Sequence, residues 1–215
     1  MMTGANLIEG INDPGIFKAV FTLGGPGSGK TTIANKLLGG TGLRTVDIDR
    51  FYTLLMSKAG ITGNYAKELY WHAGNKTDKR FELFLQHRLG MIIDGTGRKI
   101  DRLKQTKKLL EDLGYETMAI FVNTDLKTAI TRNELRTRRV DPSLVKQMHQ
   151  EVNDNLGDLQ RIFGNKLLIV DNSGEEYPDL SYYGKELDKF VRTPPNRPAA
   201  TKWIADQKAR RNISK

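Results

Sequence analysis

The order of apolar and polar positions along the chain predicts strands and helices in alternation. Five short apolar segments are typical of buried strands, at about 17–23, 43–49, 91–94, 115–122 and 167–170. Helical periodicity occupies the segments after them, at about 32–38, 50–58, 78–89, 100–113, 126–138, 142–163, 180–191 and 199–211. Strands that alternate with helices usually pair in parallel. The pattern therefore predicts an α/β fold of three layers, with a five-stranded parallel sheet covered by helices on both faces.

The first predicted strand leads into a glycine-rich loop. The segment Gly24–Thr31 matches the pattern G-x-x-x-x-G-K-[ST], and a predicted helix follows it. Glycines let backbone N–H groups turn towards a phosphate, and the helix N-terminus adds partial positive charge. Lys30 can reach the β- and γ-phosphates, and the Thr31 hydroxyl can bind Mg²⁺. The loop predicts a nucleoside-triphosphate site formed by Gly25, Gly27, Ser28, Gly29, Lys30, Thr31 and Thr32. The alternative is a glycine turn that bears a surface lysine.

Acidic residues follow two other predicted strands. Asp47 and Asp49 end the second strand, where alternation would place both on one face, and Asp94 ends the third. Ligands of such sheets bind at the carboxyl ends of the strands. Near a triphosphate, one carboxylate can help to hold Mg²⁺, as we expect for Asp94 and allow for Asp47, while another accepts the proton of an attacking hydroxyl. Alternatively, Asp49 is only the N-cap of the helix that follows.

Arginines follow the third strand and occupy the predicted helix near residue 132. Arg98 ends a turn of small residues and is expected to point into the active-site crevice. Arg132, Arg136 and Arg139 recur at helical spacing, and Arg138 is adjacent. Together they could clamp the transferring phosphate as a lid. A capped strand–helix turn and a solvated basic helix face are the alternatives.

The charge distribution indicates what kind of partner the protein binds. The chain has 215 residues, a net charge of +9 and no cysteine, which excludes disulfides and cysteine-ligated zinc. Seven basic residues and one acidic residue lie between Arg192 and Lys215, so +6 of the charge is in this tail. Such a segment favours a polyanionic partner, above all nucleic acid. Tyr70 and Trp71, among lysines, could form a stacking platform for a base or the edge of a core.

The sequence also allows a prediction of the cellular location, because it contains no recognisable targeting or membrane segment. The first fourteen residues have neither the basic nor the apolar part of a signal peptide. Every apolar run is too short to span a bilayer. We therefore expect a cytoplasmic protein without a membrane partner.

These motifs together resemble the polynucleotide kinase and zeta toxin branch of the P-loop kinases, over about residues 18–172. The loop is similar to that of phage polynucleotide 5′-kinases. The segment 46–51 resembles the family strand that carries the general base, a role that the resemblance gives to Asp49. The segment 93–98 is similar to the I-E-G-T-G-R of zeta toxins and implies a catalytic role for Arg98. The segment 132–148 resembles the lid of phage polynucleotide kinases and implies phosphate binding by Arg132 and Arg136.

The chain also departs from that pattern. Polynucleotide kinases place an arginine for the acceptor phosphate three residues after the general base, where this chain has Tyr52. Zeta toxins carry glutamate at the position of Asp94. We therefore expect a different acceptor, with Asp47, Tyr52, Tyr70, Trp71 and Arg98 as its contacts. Small kinases of this branch in phages phosphorylate the hydroxymethyl group of a modified pyrimidine in DNA, and such an acceptor would suit the basic tail.

The sequence therefore predicts an ATP- and Mg²⁺-dependent kinase that phosphorylates a hydroxyl of nucleic acid, DNA rather than RNA. The hydroxyl would belong to a 5-hydroxymethylpyrimidine or to a 5′ end. Residues 1–172 would form the kinase domain, with a core at about 17–172 and a lid at about 132–142, and 173–215 a basic appendage. Two alternatives remain open: a zeta-toxin-like kinase of a nucleotide sugar or another small molecule, and an NTP-binding switch without phosphotransfer.

Overall fold

The sheet has the five parallel strands that the apolar segments predict. In the computed structural model, residues 11, 13, 15–61, 66–136 and 139–213 are described, the last three by their backbone alone. The strands are β1 (Lys18–Leu23), β2 (Arg44–Val46), β3 (Met91–Asp94), β4 (Glu116–Asn123) and β5 (Leu167–Asp171). Their order is β2-β3-β1-β4-β5, so β1 is central. The α/β class and the three-layer P-loop architecture are confirmed.

Helices fill the connections between the strands and follow the last one. They are α1 (Lys30–Leu38), α2 (Ile48–Lys58), α3 (Lys67–Gln86), α4 (Ile100–Asp112), α5 (Leu126–Glu134), α6 (Pro142–Asp154), α7 (Leu156–Phe163), α8 (Ser181–Arg192) and α9 (Pro198–Ile213). A short 3-10 turn, Gly164–Lys166, joins α7 to β5. No helix within the described ranges has the length and apolar content to cross a membrane.

Several element boundaries differ from the sequence prediction. The second strand ends at Val46 because the Asp47 side chain caps α2. Helix α3 begins at Lys67, eleven residues before the predicted start, and the N–H of its N-cap residue Ala66 donates to the Tyr52 hydroxyl at 2.9 Å. The helix predicted at 126–138 ends at Glu134, and the one predicted at 142–163 is broken at Asn155.

The core has two main layers, one on each face of the sheet, and a smaller cluster between α2 and α3. Successive residues of β1 serve opposite layers: Phe21 belongs to the layer under α4 and α7, and Val20 to the layer under α1 and α8. Strand β4 alternates in the same way, with Phe121 in the first layer and Ile120 in the second. Both strands are buried on both faces, which is why most of their residues are apolar.

The two helices after residue 172 are packed into these layers. Leu187 and Phe190 of α8 are buried in the second layer. In α9, Ala200 is buried in the first layer, and the Trp203 ring meets the Phe17 ring edge-on, with centroids 5.5 Å apart. The basic segment is thus structurally continuous with the rest of the chain. Its description as a separate appendage remains a prediction.

Candidate active site

The glycine-rich loop between β1 and α1 is enclosed by neighbouring backbone and side chains. Gly27 has a φ of 78°, and a Cβ built on it would lie 2.2 Å from the carbonyl oxygen of Ala129 in α5. Gly29 has a φ of 80°, and its Cβ would lie 2.4 Å from the side-chain nitrogen of Asn172. Only glycine fits at both positions. The loop is therefore fixed by its surroundings as well as by its own sequence.

Lys30, at the start of α1, is held at the end of β3. Its Nζ donates to Asp94 Oδ2 at 2.9 Å and to the Gly95 carbonyl at 2.8 Å. Asp94 is itself fixed, because Thr22 Oγ1 donates to its other carboxylate oxygen at 2.8 Å and Thr22 pairs with Asp94 in the sheet register. An ammonium group has three donors, so one donor of Lys30 remains for a phosphate.

Two aspartates lie beside this pair, at the start of α2. The Asp47 carboxylate accepts from the backbone N–H of Asp49 at 2.8 Å and so caps the helix. Burial raises the pKa of Asp47, and the negative charges of Asp94 and Asp49 raise it further. Asp49 is exposed in the first helical turn. The predicted arrangement, with both aspartates on one strand face, is wrong because β2 stops at Val46, and the N-cap is Asp47 rather than Asp49.

The residues predicted to bind Mg²⁺ lie on either side of Lys30. Thr31 is exposed in the first turn of α1, and Asp94 is partly accessible. Within the described ranges, no group of three or more acidic or histidine side chains could hold a metal ion by itself. Mg²⁺ in nucleotide sites commonly takes one or two protein oxygens and completes its shell with phosphate and water. The hydroxyl of Thr31 and the carboxylate of Asp94 fit that requirement.

The turn after β3 is tied to α6 and α7. The Arg98 guanidinium forms an ion pair with Glu151 of α6. Hydrogen bonds from Gln147 and Arg98 lower the pKa of Glu151. At the junction of the two helices, the Asn155 side chain donates to the carbonyl oxygens of Gly97 and Arg98, at 3.0 and 2.9 Å. Arg98 thus links the end of β3 to the helix that follows the lid.

The predicted lid begins in α5, where Arg132 and Asn133 bond to other segments. Arg132 donates to the carbonyl oxygens of Asn172 and Gly174, at 2.8 and 2.9 Å. Asn133 is buried and exchanges two hydrogen bonds with the backbone of Val140, at 2.7 and 3.0 Å. These two hydrogen bonds hold the chain in a turn away from the helix axis, so α5 does not continue.

The predicted arginine stripe is therefore not formed. Arg136 and Arg139 lie beyond the end of α5, both exposed, and Arg138 is outside the described residues.

Asn172 is a site residue that the sequence analysis missed. It follows β5 and is buried, and its side-chain nitrogen donates to the Ser28 carbonyl of the phosphate loop at 2.7 Å. Its backbone N–H donates to the Asn123 carbonyl at 2.9 Å, and its own carbonyl accepts from Arg132. Asn172 therefore connects the phosphate loop to the lid. The feature of the sequence that could have indicated it is an amide side chain directly after the last apolar strand, at the carboxyl ends of the strands, where the phosphate loop lies.

The aromatic residues proposed as acceptor contacts separate into two environments. Tyr52 is fully buried in the α2–α3 pair, and Tyr70 packs edge-on against it with ring centroids 5.5 Å apart. Trp71 is 64% exposed. Adjacent positions on a helix point about 100° apart, so Tyr70 and Trp71 do not form one stacking platform. Tyr70 is the edge of a core, and Trp71 alone faces solvent.

Comparisons with known proteins agree with this architecture. A family model described as an AAA domain matches residues 20–154. A search of curated proteins finds no match. Three solved structures share the fold at low sequence identity, which supports the fold alone.

The first solved structure is a protein from Chloroflexus aurantiacus described as a candidate kinase, with a TM-score of 0.55, 15% identity, and coverage of 80% of this chain and 97% of that one. The second belongs to the PezAT chromosomal toxin–antitoxin system of Streptococcus pneumoniae, with a TM-score of 0.54, 19% identity, and coverage of 91% and 86%. The third belongs to the Pnkp1/Rnl/Hen1 RNA repair complex, with a TM-score of 0.54, 15% identity, and coverage of 66% and 45%. The chain belongs to the AAA domain family that this model describes, and it has the fold of a P-loop domain.

Proposed function

We propose that this chain is an ATP- and Mg²⁺-dependent kinase that transfers the γ-phosphate to a hydroxyl group of nucleic acid. The observation that carries the proposal is the Lys30–Asp94 pair, with Asp47 and Asp49 beside it at the same end of the sheet. A phosphate-binding lysine next to several carboxylates suits transfer to an acceptor hydroxyl, because one carboxylate can take the acceptor's proton.

Each charged side chain has a distinct role in this proposal. Lys30 and the loop N–H groups hold the β- and γ-phosphates, and the Thr31 hydroxyl and Asp94 hold Mg²⁺. When bound, Mg²⁺ neutralises charge that develops on the phosphate oxygens. Asp49 accepts the proton, because it is exposed in the first turn of α2, where an acceptor hydroxyl can reach it. The arginines that neutralise the transferring group are Arg98, Arg132 and Arg136.

Charge and similarity support nucleic acid as the acceptor. The tail from Arg192 onwards carries +6 of the net charge of +9, and Trp71 exposes a ring that could stack on a base. One of the similar structures comes from an RNA repair complex. DNA that contains a 5-hydroxymethylpyrimidine is the acceptor that we favour, followed by a polynucleotide 5′-hydroxyl. Cytoplasmic location is part of the same proposal.

A second candidate is a kinase of a nucleotide sugar or another small molecule. The turn that ends at Arg98 favours it, as does the likeness to a chain of the PezAT system. An NTP-binding switch without phosphotransfer is a weaker candidate, because a switch has no need of a carboxylate to accept a proton.

The test is a transfer assay with γ-labelled ATP, Mg²⁺ and a panel of acceptors. The panel contains 5′-hydroxyl DNA and RNA, end-blocked DNA with 5-hydroxymethyluracil or 5-hydroxymethylcytosine, and free nucleotides and UDP-sugars. We expect label in the end-blocked modified DNA. Label on free ends alone would indicate an end kinase, and label on small molecules alone would favour the second candidate. ATP binding without transfer would favour the switch.

The matched variants are Asp49→Asn and Asp112→Asn, which remove the same charge from exposed positions at the start of α2 and at the end of α4. We expect Asp49→Asn to lower the rate by about 10²-fold or more and Asp112→Asn to leave it unchanged. Full activity in Asp49→Asn would exclude Asp49 as the base.

A further inference from the structure

Two arginines beside Asp49 have no anionic partner in the part of the chain that the structure describes. Arg50 is exposed in the first turn of α2, and Arg80 is half-buried on α3. Across the described ranges, neither guanidinium forms an ion pair or a side-chain hydrogen bond, and the Nε atom of Arg80 is buried without a partner. Nearby Arg44, at the start of β2, differs because its charge is paired with Asp13.

The surroundings of Arg80 hold its guanidinium in place without neutralising it. The central carbon lies 5.7 Å from the ring centroid of Phe51 and 5.2 Å from that of Phe84. Cation–π contacts orient a guanidinium but leave its outer N–H donors available. Burial lowers the pKa of Arg80, and the positive charges of Arg50 and Arg44 lower it further. The two arginines repel each other, and Arg80 is partly desolvated. A bound anion would therefore stabilise the pair.

The position of the pair indicates which anion. Arg50 follows Asp49 in the sequence, so the pair lies next to the proposed base. Strand β2 is at the edge of the sheet, and Arg80 lies against the start of α2, because its guanidinium packs on the ring of Phe51, the residue after Arg50. A polyanion could therefore follow this edge up to the active site. Guanidinium groups bind phosphate oxygens through paired, charge-assisted hydrogen bonds.

We infer that Arg50 and Arg80 form a binding site for a backbone phosphate of a polynucleotide acceptor, which presents the acceptor hydroxyl to Asp49. This inference rests on the proposed function, because it names how that acceptor is held. It assigns the phosphate contact near the acceptor hydroxyl to α2 and α3. The basic tail would instead raise the affinity for nucleic acid without positioning the hydroxyl that reacts.

The experiment compares Arg50→Gln and Arg80→Gln with wild type in the full chain. Binding of a fluorescent oligonucleotide is measured by anisotropy without ATP at several salt concentrations, and KM is measured separately for the oligonucleotide and for ATP. We expect each variant to raise the oligonucleotide Kd and KM by about tenfold and to reduce the slope of log Kd against log salt by about one. The KM for ATP should not change.

Arg102→Gln, an exposed arginine of α4, is the matched control and should leave all these values unchanged. Arg50→Gln also guards against misfolding, because its side chain is exposed, and Arg80→Lys tests whether the planar guanidinium is needed. If wild type phosphorylates polynucleotides and the Arg50 and Arg80 variants match the control, the inference is wrong and the proposed function stands. If wild type neither binds nor phosphorylates polynucleotides, the proposed acceptor fails, and the inference fails with it.

Discussion

Replacing Gly27 by alanine should disrupt the phosphate loop through a steric clash. The cost of this clash can be measured separately from the cost of the left-handed backbone conformation. Gly27 and Gly40 have almost the same left-handed φ, 78° and 82°. A Cβ on Gly40 would meet nothing within 4 Å, whereas one on Gly27 would lie 2.2 Å from the Ala129 oxygen and 2.8 Å from its Cα. The two alanine variants therefore share the conformational penalty, and only Gly27→Ala adds a collision with the α5 backbone.

The size of the difference follows from these distances. Left-handed backbone costs an L-residue about 1–2 kcal/mol at either position. An ordinary carbon–oxygen approach is about 3.3 Å, so the loop or α5 would have to move by about 1 Å. Overpacking of this kind costs about 1–3 kcal/mol more. With a urea m-value of about 2–3 kcal/mol/M, the Gly27→Ala midpoint should be about 0.3–1.5 M below that of Gly40→Ala.

The assay is urea unfolding followed by circular dichroism, together with calorimetric titration of ATP. Because Ala129 and Arg132 share α5, Gly27→Ala should also weaken ATP binding, while Gly40→Ala should bind ATP as wild type does. Equal unfolding midpoints for the two variants would refute the reasoning, since they would show that the contact with α5 carries no energy.

Three further predictions concern the interior of the molecule. Asn172→Ala leaves the Ser28 carbonyl without its buried donor, so it should cost about 1–3 kcal/mol in urea unfolding and raise the Kd for ATP; an unchanged Kd would contradict the proposed link between loop and lid. The raised pKa of Asp47 means that its ionised form opposes folding, so wild type should lose stability relative to Asp47→Asn as pH rises from below 3.8 through the raised pKa. The urea unfolding midpoint of Asp47→Asn should be higher than that of wild type at pH 7, and the two midpoints should be equal at the acid end of the range. A difference between the midpoints that does not change with pH would contradict this prediction. Tyr115→Phe removes a buried hydroxyl whose single proton lies between the carbonyl oxygens of Phe84 and Leu89. It should cost about 1–2 kcal/mol in thermal unfolding, whereas Tyr182→Phe, on an exposed ring, should cost nothing measurable.

The sheet and the phosphate loop were predictable because their physical requirements are local. Strands β1 and β4 are buried on both faces and are therefore mainly apolar. The loop needs glycines at fixed spacing before a helix. Boundaries depended on single capping side chains. Asp47 was predicted to continue a strand, but its carboxylate bonds the N–H of Asp49 and starts α2 instead.

The parts of the site that the sequence did not predict depend on contacts between distant segments. The predicted arginine stripe assumed that α5 continues, but Asn133 bonds across to Val140, a partner that no periodicity reveals. Asn172 contacts Ser28, 144 positions earlier, and nothing in its local sequence specifies that contact. Tyr52 was expected to contact an acceptor, but the early start of α3 covers it.

The edge-on contact between Phe17 and Trp203 has a consequence for the order of folding. Phe17 immediately precedes the central strand, and its aromatic partner lies near the other end of the described chain. During synthesis, the strand that carries the phosphate loop emerges early, but this part of its first core layer stays open until α9 has been made. Contacts of such sequence separation slow folding and leave apolar surface exposed in the meantime. Until α9 has emerged, the nascent chain should therefore expose apolar surface of the kind that chaperones bind.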